Sequence, residues 1–348
     1  MRTLHVLEPW SPPGPLGPGR ERARAGDAPV LACRAAVHAG GAEDHVVLVL
    51  GGSAAGRRAA TLGLPRFDRI APPLGRTDLA SRTIARWLDS RAPFELAILW
   101  SGPCAGAWER HARRVAAFDP RGGEIADRAG CLPAEVLTRD DVRTLRATRA
   151  DVRERLGLGP NEECLCLLSD PPEAAHAANF AFLLALLNAT GRAVTGLVSS
   201  GSFHARRALD PRRLEPLGVR LVATDEPLAM VLPACDLAVH APGSRLDSSA
   251  ARATWGDAAM ARVAWSMGVP VLSATSEAVA PDARGACLTP TAHPSAIAHA
   301  ITELPRGRLA GLRSSLLAAH AGRDASPLGA EVERALGNPG GVATGEAS

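Results

Sequence analysis

Residues 225–290 decide the fold: DEPLAMVLPACDLAVHAP (225–242), GSRLDSSAARATWGD (243–257) and AAMARVAWSMGVPVLSATSEAVAPDARGACLTP (258–290). Leu237 and Val239, flanked by Asp236 and Pro242, form a short apolar run that stops at a polar loop, the pattern of a buried strand. From Ala258 to Met267 apolar residues recur at helical spacing. Gly268 follows, the residue type that most readily ends a helix. Val269-Pro270-Val271-Leu272-Ser273-Ala274 is apolar on both faces, as a parallel strand between two helix layers must be. Strand, helix and strand in this order make a βαβ crossover, which presents ligand groups at the C-terminal edge of its strands.

The same alternation runs outward in both directions. Downstream, 294–303 and 308–321 read as helices, followed by a weaker helix at 328–336 and a frayed Gly-rich tail. Upstream, 163–169, 193–198 and 219–223 read as strands and 174–190 as a helix, with Asp225 to Leu228 opening the next helix on an acidic cap. In the first half, strands are expected at 3–7, 44–50, 94–100 and 68–73, the last an edge strand stopped by proline. Helices are expected at 28–38, 53–62, 77–90 (Leu79, Thr83, Ile84, Trp87 and Leu88 inward) and 105–118. Residues 119–138 are expected to hold a last strand and the linker. The segment 139–156 is a charged helix, read as a solvated face with local ion pairs. A chain of 348 residues is too long for one ordinary α/β core. The reading is therefore α/β with two Rossmann-like parallel-sheet domains facing across a cleft: 1–138, 139–322, and a crossing helix with tail at 323–348.

Composition narrows the partners. The formal net charge is +3, so bulk electrostatics argues for no nucleic-acid partner. Every basic side chain apart from histidine is arginine, so a phosphate clamp must be Arg, a helix N-terminus or backbone amides. The seven cysteines include no Cys-x-x-Cys pair, which argues against zinc. Cys164 and Cys166 alternate on one side of an apolar strand, as small core residues. The chain passes directly into the strand-like Thr3–Leu7 and has no run long enough to span a membrane. A cytoplasmic protein without transmembrane segments is expected, with room left for peripheral contact with a membrane surface.

At Asp236, Gly268, Pro270, Val271, Glu277, Gly285 and Leu288 the chain resembles the C-terminal half of group 1 glycosyltransferases. These are retaining, nucleotide-sugar-dependent enzymes with two Rossmann-like domains in the GT-B arrangement. The resemblance covers about 150–320 and is weaker before that. It implies a hexosyltransferase-type enzyme that moves a sugar from a nucleotide-diphosphate sugar to a glycan or small-molecule acceptor, with no cofactor beyond that substrate and no metal. It also exposes departures. Alignment on Gly268 puts Trp255 and Val263 at the family's two glutamates, and the acidic Asp170-Pro171-Pro172-Glu173 stands where the family has cations. The histidine that many relatives carry at the end of the 94–100 strand is replaced by Trp100 or Ser101.

Within that resemblance Glu277 is the carry-over near the sugar hydroxyls. Asp257 is the nearest acidic replacement for the first lost glutamate. Each also suits a plain helix-capping role. For the donor, the candidates are Gly14 and Gly17 in the loop after the first strand, Ser200 and Gly201 after the 193–198 strand, and Arg245, Arg252 and Gly256 ahead of the 258–267 helix. The loop at 11–27 reads equally as solvated, because its prolines remove amides that a phosphate would need. A catalytically silent GT-B domain binding a nucleotide, glycan or partner protein is the alternative that the missing carboxylates favour. A nucleotide-sugar epimerase would need an acid/base set that the sequence does not offer.

Overall fold

The computed structural model describes residues 2–7, 26–40, 43–71, 77–100, 108, 110–117, 136–168, 174–199, 210–240, 255–273 and 293–319. Two separate five-stranded parallel sheets are present. The first contains β1 (Thr3–Leu7), β2 (His45–Leu50), β3 (Asp68–Ile70), β4 (Phe94–Leu99) and β5 (Ala112–Ala117) in the order β3-β2-β1-β4-β5. The second contains β6 (Cys164–Leu167), β7 (Thr195–Ser199), β8 (Arg220–Thr224), β9 (Leu237–Val239) and β10 (Val271–Leu272) in the order β10-β9-β6-β7-β8. In both, the strand order reverses beside the first strand, between β1 and β4 and between β6 and β9. That reversal is the switch point of a doubly wound sheet.

The helices follow from the crossovers: α1 (Asp27–Gly40), α2 (Ser53–Thr61), α3 (Thr77–Arg91), α4 (Arg139–Ala147), α5 (Arg149–Arg155), α6 (Ala174–Ala189), α7 (Pro211–Leu214), α8 (Leu228–Val231), α9 (Trp255–Ser266), α10 (Pro294–Thr302) and α11 (Arg306–Ala319). Alternation along each strand sorts its side chains between two helix layers. In the first sheet Leu4, Val6 and Leu48 face α3, while Leu7, Val47 and Val49 face α1 and α2. In the second, Leu165, Leu167 and Val198 face α6 and α10, while Cys166, Leu197 and Ala238 face α8 and α9. The α1/α2 layer and the α8/α9 layer belong to one buried cluster, and α1 packs directly on α9. The lobes therefore meet through one apolar seam. α9 ends at Gly268, whose φ is +74°.

Three expectations are corrected. Residues 105–118 were expected to be helical, yet Ala112–Ala117 is a strand paired in parallel with β4 along its length. Ala and Arg favour helix locally, and edge pairing overrides that preference. Thr83 is exposed, not inward. The charged segment 139–156 is two helices broken at Thr148. Arg143 is solvated and pairs locally with Asp140 at 3.0 Å, as expected, but Arg149 and Arg153 turn inward. Arg149 donates to Asp236 Oδ1 at 2.6 Å and to the Pro233 and Cys235 carbonyls. Arg153, 6% exposed, donates to the carbonyls of Ala234, Gly159 and Glu162. Asp236 also accepts the Cys164 N–H at 2.9 Å. That carboxylate ties the start of β9 to the start of β6 and sets the register of the two switch-point strands.

Candidate functional site

A crossover helix begins at the C-terminal edge of the strand before it, so helix N-termini mark where ligands approach. Asp27 opens α1 after β1, and Leu228 opens α8 after β8. Asp27 Oδ2 accepts the Ala229 N–H at 3.2 Å, 202 residues away in sequence. This contact sets the N-termini of α1 and α8 side by side. The C-terminal edges of both sheets are thereby brought to the same end of the inter-lobe seam. Asp27 is fully buried, and Arg58 of α2, also buried, meets its Oδ1 through Nε at 2.9 Å and Nη2 at 2.8 Å. Two charges removed from water are tolerated only with such pairing. Neither residue stands out in the sequence: both depend on a partner from a distant element.

At the edge of the second sheet, polar side chains replace the apolar ones. Ser199 ends β7, His240 follows β9 and Ser273 follows β10, at 0%, 5% and 1% exposure. Leu197, Ala238 and Val271, two residues earlier on the same strands, all lie in the inter-lobe cluster. Alternation therefore turns Ser199, His240 and Ser273 toward the α8/α9 layer. His240 Nδ1 lies 3.1 Å from Ser273 Oγ. Among the described residues, Ser199 Oγ has no hydrogen-bond partner, a state that costs about 1–3 kcal/mol for a buried hydroxyl. On β8, by contrast, Thr224 Oγ1 accepts the Glu226 N–H at 3.1 Å and is satisfied locally. Glu226 and Asp225 do not cap α8, which starts at Leu228 after Pro227 with no side-chain cap.

Gly256 and Asp257 are the second and third residues of α9, so both sit in the first turn of the helix that leaves the β9 edge. Trp255 begins that helix. Val263, two turns on, is 1% exposed inside the inter-lobe cluster. Gly14, Gly17, Ser200, Gly201, Arg245, Arg252 and Glu277 lie outside the described residues.

At the edge of the first sheet, Trp100 follows β4. Its Nε1 donates to His5 Nδ1 at 3.2 Å, and His5 Nε2 lies 2.8 Å from His45 Nδ1. Because the indole can only donate, His5 Nδ1 must accept, which places the His5 proton on Nε2 and makes His45 Nδ1 an acceptor. Burial, reinforced by His45, lowers the His5 pKa to about 3. This pair is buried in β1 and β2. Among the described residues, no three His, Cys, Asp or Glu side chains are grouped to hold a metal ion. Likewise, no helix among them is long and apolar enough to cross a membrane.

No protein-family model and no curated protein matches the chain. Solved structures do. HepE from Anabaena in complex with UDP and glucose superposes with a TM-score of 0.57 at 12% identity, over 97% of this chain and 99% of that one. WaaG, a glycosyltransferase involved in lipopolysaccharide biosynthesis, gives 0.53 at 13% identity, over 97% and 100%. A glycosyltransferase from Rickettsia africae gives 0.54 at 10% identity, over 97% and 99%. At these identities the likeness establishes the fold: two α/β lobes with parallel sheets in the GT-B arrangement.

Proposed function

We propose that this chain is a nucleotide-sugar glycosyltransferase, moving a sugar from a nucleoside-diphosphate donor to a glycan or small-molecule acceptor with retention. The observation that carries the reading is the Asp27–Ala229 contact, which puts the ligand-bearing edges of two doubly wound sheets at one seam. Transfer between two bound substrates needs both held at one place. HepE, the structural neighbour, is bound to UDP and glucose, in keeping with such a donor. The donor rests on the second lobe (139–322), with Ser200, Gly201, Arg245, Arg252 and Gly256 around its phosphates. Gly14 and Gly17 approach from the first lobe (1–138). Departure of the diphosphate leaves negative charge, which the α9 N-terminus and arginines stabilise. Glu277 and Asp257 are the carboxylates that orient the sugar. No cofactor is required, and the work is done on the cytoplasmic side of the cell.

Calorimetry with UDP, GDP and ADP tests this reading: binding of one of them at micromolar affinity is expected. A folded protein giving no heat with any of the three sinks it.

A second reading has its own observation. Val263 is packed into the inter-lobe core where a group 1 enzyme has a glutamate, so this chain has built that position for stability. A GT-B protein that binds a nucleotide or glycan without turnover fits such a core. Glu277→Ala and Asp257→Ala separate the two readings. Loss of donor hydrolysis or transfer with nucleotide affinity retained marks an enzyme, whereas a wild-type protein that binds but never consumes a donor marks the silent form.

A further inference from the structure

The polar row at the edge of the second sheet breaks the apolar pattern of the core that surrounds it. On that face Leu197, Ala238 and Val271 are apolar, and two residues later the same three strands carry Ser199, His240 and Ser273 at the ligand edge. Ser199 Oγ is sealed from solvent and has no hydrogen-bond partner among the described residues, a state that buried hydroxyls avoid unless something else satisfies them.

The direction of the row selects one of two helix ends. At the β6/β9 switch point α6 leaves on one face and α9 on the other. The residues leading into α6 are Asp170-Pro171-Pro172-Glu173, acidic and lacking two amide donors. Those leading into α9 include Arg245 and Arg252, and α9 is a full twelve-residue helix with the positive end of its dipole at Trp255. An anion is therefore favoured on the α9 side, the side to which His240 and Ser273 turn.

We propose that His240, held by Ser273, contacts the diphosphate of the donor, and that Ser199 takes a hydroxyl of its nucleoside. This rests on the donor reading above and names the residues through which this chain carries it out. A Ser273 hydroxyl donating to Nδ1 puts the ring proton on Nε2, a donor suited to a phosphate oxygen. β7 and β9 are separated by β6, and two strand spacings come to about 10 Å, the span from a diphosphate to its ribose. In a chain whose acidic 170–173 stretch offers no cation, an imidazole at the strand end supplies a donor that the family pattern places elsewhere.

The test is calorimetry on the full chain with UDP, GDP and ADP and with the matching nucleosides, using His240→Phe, His240→Gln and Ser199→Ala. Circular dichroism verifies the fold of each, and His240→Gln carries the test if the phenylalanine variant does not fold. The histidine variants are expected to bind the preferred diphosphate about tenfold more weakly while nucleoside affinity stays the same. Ser199→Ala is expected to weaken diphosphate and nucleoside together, about threefold. Unchanged diphosphate affinity in the folded histidine variants overturns the proposal, as does an equal loss for diphosphate and nucleoside, which marks His240 as a shaper of the pocket. If wild type binds none of the three diphosphates, the donor reading itself falls and takes the proposal with it, a result plainly different from the other two.

Discussion

His5 makes the protein acid-sensitive by an amount the structure fixes. Its ring is fully buried, accepts from Trp100 and meets His45, and burial and His45 together lower its pKa from 6.5 to about 3. The native state therefore refuses a proton that the unfolded chain accepts. Above pH 6.5 neither state is protonated and the stabilisation is complete. Below it the unfolded chain gains protons alone, so stability falls by about 1.4 kcal/mol per pH unit until the native ring titrates near pH 3. At pH 5 the loss from this one group is about 2 kcal/mol, and near pH 3 about 4 kcal/mol. His5→Gln removes the titration while keeping an acceptor for Trp100 and a donor for His45. Urea unfolding of both proteins at pH 7.5 and pH 5.0 measures the difference, since every other ionisable group is common to the pair. The variant is expected to be less stable than wild type at pH 7.5, through imperfect geometry, and to lose about 2 kcal/mol less on going to pH 5.0. Equal losses for the two proteins would refute the argument that His5 stays neutral in the fold.

Asp27→Ala is expected to cost about 3–5 kcal/mol in urea unfolding, because it strands the buried Arg58 guanidinium; the double change Asp27→Leu with Arg58→Met should cost clearly less, and equal costs would remove the ion pair from the inter-lobe seam. Gly268→Ala forces an L residue into φ +74° with its Cβ 2.8 Å from Leu317 Cγ and 3.0 Å from Arg313 Cγ, so a loss of roughly 2 kcal/mol or more is expected. A variant as stable as wild type by thermal unfolding would show that α9 ends in another way.

Features set by local pattern were legible in the sequence. The runs at 164–167, 237–239 and 271–272 are apolar on both faces because helices cover both, and Gly268 follows its helix because only glycine takes that φ without strain. Ala112–Ala117 was not legible, since Ala-Arg-Arg-Val-Ala-Ala prefers a helix and only the partner strand β4 makes it β. Arg149, Arg153 and Asp236 failed for the same physical reason. An arginine on a charged helix looks solvated until, as for Arg149, the fold brings a carboxylate and two carbonyls from over 80 residues away to meet it.

The site divides along the same line. The sequence pointed to loops after strands and to the start of α9, which is where Gly256 and Asp257 stand. It passed over His240 and Ser273, which look like the frayed ends of apolar runs. Their meaning depends on two facts that no local window carries: β9 lies beside β6 although Ala238 is 72 positions beyond its register partner Cys166, and alternation turns both side chains to the α9 face. Topology chooses which strand ends border the crevice, and parity chooses which of their side chains enter it. A polar residue at the end of an apolar strand becomes a candidate ligand contact only when both conditions hold. His240 satisfies both, whereas Thr224 on β8 fails the first, because it ends an edge strand and its hydroxyl is already engaged by Glu226.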